Sequence, residues 1–138
     1  MDSRRVVVDP VTQVELLVPE GISSWRAIER ARKARDGELR SIRLFVDWGH
    51  AYPLWESGTD KYGMEPDDYG LSAELAARLL AWTDTFFDHL VPETGWDTLE
   101  REQVWHAEGE TLADLLELEV YDIAEVQREF RPAGWSAA

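Results

Sequence analysis

The chain contains no cysteine. That excludes a disulfide framework, a thiolate nucleophile and a cysteine zinc site. No apolar run approaches the roughly 20 residues that a membrane-spanning helix needs. Met1 is followed by Asp2, Ser3, Arg4 and Arg5 and then by only three valines, unlike a secretory leader. A cytoplasmic location is the simplest expectation. Phosphate loops of the GxxxxGKS/T type, GxSxG elbows, HExxH helices and glycine-rich dinucleotide turns are all missing. Asp60, Asp67 and Asp68 do not reproduce the ligand spacing of a calcium loop. No cofactor and no metal are expected.

Basic side chains are scarce: Lys and Arg total 14 against 28 Asp and Glu, a net charge of −14. Like charge repels DNA, RNA and anionic membranes over a Debye length of about 8 Å, so the expected partner is a basic protein. The asymmetry is strong. Residues 1–43 hold nine basic and seven acidic side chains, a net of +2, and residues 44–138 hold five and twenty-one, a net of −16. Such a division suits an N-terminal segment that docks on an acidic body, in cis or in a neighbouring subunit of a homo-oligomer. The plainer reading is an acidic surface that keeps the domain in solution.

What is present in quantity is apolar and aromatic. At 138 residues, 44% hydrophobic and with seven tryptophans, one packed core is expected. Residues 5–9 and 13–18 read as a hairpin, with Asp9 and Pro10 favouring the turn. Ser24 is placed to cap a basic helix over 25–35 that ends at Gly37. Its arginines would brace the acidic helices rather than bind nucleic acid. Ile42, Leu44 and Val46 alternate with Arg43, Phe45 and Asp47, the period of a strand.

Leu75, Leu79, Trp82, Phe86 and Leu90 then form one stripe of a helix capped by Ser72. Asp97 and Glu100 resemble a capping box for a helix over 98–118. Gly109 interrupts that helix, so either it bends there or a bulky neighbour such as a tryptophan packs close. A last strand is placed over 123–130 before Pro132, and the tail is loose unless Trp135 docks. The order implies an α+β fold, a small mainly antiparallel sheet with helices packed on one face. The hairpin and basic helix (1–41) are appended to a core (42–131) with a short tail (132–138), all in one domain.

Between the strand at 42–47 and the helix at 72, glycines and Pro53 punctuate a segment rich in aromatics. Trp48, His50, Tyr52, Trp55, Glu56, Asp60 and Tyr62 are the interface candidates, because exposed loop aromatics serve as anchors. An alternative places a metal-dependent or small-molecule site at Asp47, His50 and Tyr52, with Asp60 as a further ligand. His106, with Glu102 and Glu110 one turn to either side, reads as an exposed ion-pair row before a metal patch. His89 suits a helix C-terminus. Catalytic residues are not assigned.

From about Ile42 onward, the order IRLFVDW, PLW, YGLSAELAARLLAW, GWD and VWHAEGETLADLLELE resembles a group of short bacterial proteins typical of high-GC actinobacteria. The resemblance spans about two thirds of the chain and departs from the group's LGLS by reading YGLS. It implies the α+β core and no particular activity. Two functions remain in view. One is a non-enzymatic interaction protein, immunity-like or inhibitory, using carboxylates and loop aromatics on a basic partner; a DNA mimic is its narrower form. The other is a small enzyme at Asp47 and His50.

Overall fold

A computed structural model describes residues 5–131. The tail with Pro132 and Trp135 lies outside these residues. Strands β1 (Arg5–Val8) and β2 (Glu15–Val18) form the N-terminal hairpin. Its turn is held by Asp9, which is buried and accepts from the amides of Val11 at 2.8 Å and Thr12 at 3.4 Å. Helix α1 (Ser24–Asp36) is capped by Ser23, whose hydroxyl accepts from Arg26 N at 3.1 Å. The capping serine is therefore Ser23 and not Ser24. Both satisfy the same sequence rule, and the backbone turns extended at Ser23. Gly37 ends the helix at φ +72°, as a left-handed C-terminal cap requires.

Strand β3 (Arg40–Leu44) is central in a three-stranded sheet of order β4-β3-β7. Its neighbour β4 (Leu54–Trp55) is antiparallel, and β7 (Ala124–Gln127) is parallel, with Ile42 opposite Val126. A parallel pair needs a long crossover. Helices α2 (Ala73–His89) and α3 (Leu99–Glu119) supply it, joined by the tight hairpin β5 (Leu90–Val91) and β6 (Gly95–Trp96). Leu90 thus ends the helix rather than extending it. The fold is α+β, with three antiparallel strand pairings and one parallel pairing among the described residues.

The core joins Ile42 and Leu44 of β3 to Leu75, Leu79 and Trp82 of α2 and to Trp105, Leu112 and Leu116 of α3. Each such buried side chain contributes on the order of 1.5–3 kcal/mol before ordering costs. Helix α2 lies chiefly on α3, which in turn packs on β7. Gly109 sits where they meet: a Cβ there would fall 2.7 Å from both Trp82 Cζ2 and Phe130 Cε2. Ser72 caps α2, accepting from Leu75 N at 3.2 Å. For α3 the cap is Thr98, not Asp97, because Asp97 is taken by His89 at 2.8 Å and Arg101 at 3.3 Å.

Helix α1 docks where α3 ends. Helix C-termini leave carbonyls without partners and carry negative partial charge, and α3 has no basic residue in its last turn. Arg26 fills that role, donating to Leu118 O at 2.9 Å and Glu119 O at 3.1 Å while its Nε meets Asp122 at 2.6 Å. Arg30 donates to Tyr121 O at 2.6 Å and Ala124 O at 3.1 Å, and Lys33 to Asp122 O at 2.9 Å. The basic helix is a brace, as its charge implies, acting mainly on backbone carbonyls. No helix among the described residues is long and apolar enough to cross a membrane.

Candidate functional site

Beyond β3 the chain folds back on itself, and the aromatic segment divides into buried and exposed parts. Trp55 belongs to β4 and is 8% exposed. Its indole N–H donates to Phe45 O at 2.9 Å and its ring stacks on Phe45 at 5.1 Å. Glu56 is also buried: its carboxylate accepts from Arg40 Nη2 at 2.8 Å and from the Tyr69 hydroxyl at 2.7 Å. Burial, with the Glu56 carboxylate beside it, pushes the Tyr69 phenol well up. These two candidates hold the loop rather than present a surface. Alternation in an isolated two-residue strand gave no sign of this, since the pairing of β4 with β3 is set by residues ten positions away.

His50 and Tyr52 are half-buried and meet edge to face at 6.3 Å. His50 Nε2 donates to Met64 O at 2.7 Å, and its ring lies over Gly63, where a Cβ would stand 3.2 Å from His50 Cγ. Asp47 accepts the amide of Trp48 at 2.8 Å. His50 Nε2 and Asp47 Oδ1 of the alternative site thus each hold backbone, and no group of three metal-ligating side chains occurs among the described residues. Asp60 is exposed at the turn.

Two aromatics of this segment face outward, as Trp25 of α1 also does. Tyr62 is 40% exposed at φ +59°, a conformation unusual for a bulky side chain. Thr59 Oγ1 accepts its amide at 3.1 Å, its ring packs on Trp55 at 5.1 Å, and its hydroxyl accepts from Arg43 at 2.8 Å. Trp48 is 70% exposed, with its ring 4.5 Å from Phe87 of α2. Asp84 and Asp88 flank Phe87 on α2, both exposed, and Asp47 adjoins Trp48. The apolar pair is thus accompanied by exposed carboxylates adjacent to it along the chain. Phe87, Asp84 and Asp88 are absent from the interface candidates of the sequence, where Phe87 belongs to the apolar stripe of the helix. Their signal was the run DTFFD, which reads first as a helix edge.

The remaining histidines take structural places. His89 Nδ1 pairs with Asp97 Oδ2 at 2.8 Å. His106 does not join an exposed ion-pair row: its ring stacks on Phe130 at 6.3 Å, its Nδ1 is buried without a partner, and burial pushes its pKa down against the opposing Glu102 and Glu110. Glu110 instead accepts from Arg128 at 2.6 Å and from Arg131. Those two guanidinium groups draw its carboxyl below the usual range, Arg131 foremost. Arg128 also reaches Asp114 at 2.6 Å and Glu117 at 3.0 Å, because β7 runs back beside α3.

A second surface feature lies at the other end of α3. An open groove of about 440 Å³ runs between α3 and β7, floored by Leu118, Tyr121 and Val126.

The family model described as Serratia CdiI immunity protein-like matches residues 40–128. No curated protein matches the chain. The match begins at the first residue of β3 and closes just after β7. It includes the Trp48–Phe87 pair and leaves out the hairpin and α1.

Proposed function

Because the chain belongs to the Serratia CdiI immunity protein-like family, we propose that it neutralises a toxin by binding it, performing no chemistry of its own. The toxin contact is centred on Trp48 and Phe87, with Asp47, Asp84 and Asp88 near them and Tyr62 and Asp60 at the margin. The observation that carries this reading is the exposure of Trp48, 70% open although its ring already rests on Phe87. A rigid, supported aromatic loses little freedom on binding, and tryptophan is enriched among the residues that dominate interface energy. The neighbouring carboxylates favour a basic partner, through faster encounter and rejection of acidic proteins. The net charge of −14 opposes nucleic acid and anionic membrane in the same way. A cytoplasmic site of action fits this reading.

The test is protection of a sensitive host. Candidate toxin domains are expressed with and without the chain, and one of them loses its toxicity when the chain is present. Trp48→Ala then weakens binding of that toxin by at least tenfold while leaving thermal stability unchanged. Rescue of no toxin overturns the immunity reading. Unchanged affinity in Trp48→Ala overturns the assigned surface.

A further inference from the structure

The groove between α3 and β7 lies apart from the Trp48 surface and contains two kinds of lining. Leu118, Tyr121 and Val126 form its apolar floor, and Asp114, Glu117 and Glu125 supply carboxylates. Arg128 holds Asp114 through Oδ1 and Glu117 through Oε1, yet Asp114 stays 69% exposed at its side chain and Glu125 is exposed on β7. The lining cation, Arg30, is turned to the floor: it donates to Tyr121 O and Ala124 O, and its guanidinium lies 4.7 Å from the centre of the Tyr121 ring.

We propose that this groove receives a lysine or arginine side chain of the toxin, its aliphatic stem on Leu118, Tyr121 and Val126 and its charge among Asp114, Glu117 and Glu125. The assignment rests on the toxin-binding reading for the identity of the partner. Long basic side chains bury their methylenes on apolar surface while keeping the charged head in water, and a groove with an apolar floor and acidic walls matches both halves. A purely apolar segment matches only the floor, and an acidic one is repelled by the carboxylates. Pro19 and Arg30, on the groove's remaining side, come from the segment preceding the family-matched residues. The groove is complete only when that segment is docked, so it distinguishes this chain from one built of residues 40–128 alone.

The experiment uses the full ¹⁵N-labelled chain and two probes, acetyl-Gly-Lys-Gly-amide and its norleucine counterpart. The lysine peptide is expected to give saturable, millimolar shifts confined to the amides of Leu118, Tyr121, Glu125 and Val126, and the norleucine peptide none. Glu125→Gln and Leu118→Ala, both at exposed positions, are expected to weaken binding at least fivefold while retaining the wild-type spectrum elsewhere. Equal shifts from both peptides, shifts spread over every acidic surface, or binding unaffected by both variants overturn the proposal. A negative titration does so whatever the protection assay gives. Failed protection with a positive titration overturns the toxin reading alone.

Discussion

Trp82 and Trp105 stack 4.1 Å apart with 6° between their planes, and each indole N–H donates to the other's backbone carbonyl, at 2.9 and 2.8 Å. Stacking alone allows helices to slide. The paired hydrogen bonds fix the axial position of α2 against α3, because a displacement of one turn breaks both. Trp82→Ala removes one donor and most of the stacked area, and is expected to destabilise the protein by about 3–5 kcal/mol, measured by urea unfolding.

Gly109 is the companion to that pair. An alanine at an ordinary helix position gains about 1 kcal/mol over glycine. At 109 its Cβ would meet two aromatic rings at 2.7 Å, so Gly109→Ala is expected to lower stability by about 1–3 kcal/mol. A neutral or stabilised variant contradicts this packing.

The brace at the end of α3 depends on guanidinium geometry. Arg26 serves two carbonyls and a carboxylate from one side chain. Arg26→Ala is expected to cost about 1.5–3 kcal/mol, typical of hydrogen bonds from a charged donor. Arg26→Lys recovers only part of this, since an ammonium lacks the planar fork. Chemical denaturation of the three proteins gives the order.

Acid sensitivity has two windows. Burial holds the His106 pKa below its ordinary 6.5, so from about pH 6.5 downward the unfolded chain takes up a proton that the folded chain resists, and stability falls. Glu102 and Glu110 moderate the fall. The second window belongs to Asp9, Asp68, Asp97 and Glu110, whose carboxyls lie below their ordinary 3.8 or 4.5. Their stabilisation is present above those values and is lost as pH drops through the folded ones. His106→Leu is expected to flatten the upper window and leave the lower one intact, in unfolding curves taken from pH 8 to 3.

Glu56 separates the two roles within the aromatic loop. Glu56→Ala leaves the buried Tyr69 hydroxyl and Arg40 without their carboxylate and is expected to destabilise by about 1–3 kcal/mol. Asp60→Ala, at an exposed turn position, is expected to leave thermal stability unchanged.

These residues also mark what could be read from sequence. Ser72, Gly37 and the stripe from Leu75 to Phe86 are local signals, each set by neighbours within a few positions, and all were legible. Gly109 was legible as one of two alternatives. The parallel pairing of β3 with β7 was not, because it joins strands about 80 residues apart and depends on the crossover between them. His106 illustrates the same limit: Glu102 and Glu110 stand one helical turn to either side of it, but its ring stacks on the distant Phe130. Trp48 and Trp55 look alike in sequence, yet Trp48 is 70% exposed whereas Trp55 is buried in β4, with its N–H bonded to Phe45 O.

The meeting of α1, β3 and β7 also governs how this chain is made. Arg26, Arg30 and Lys33 reach for backbone at 118–124, and β3 for a strand that ends at Gln127. On the ribosome those contacts must wait until residues 118–127 have emerged, and long-range pairings of this kind form slowly. Until then the first forty residues have only their own hairpin and helix to rely on. A product ending before Ala124 therefore lacks both the third strand of the β4-β3-β7 sheet and part of what anchors α1.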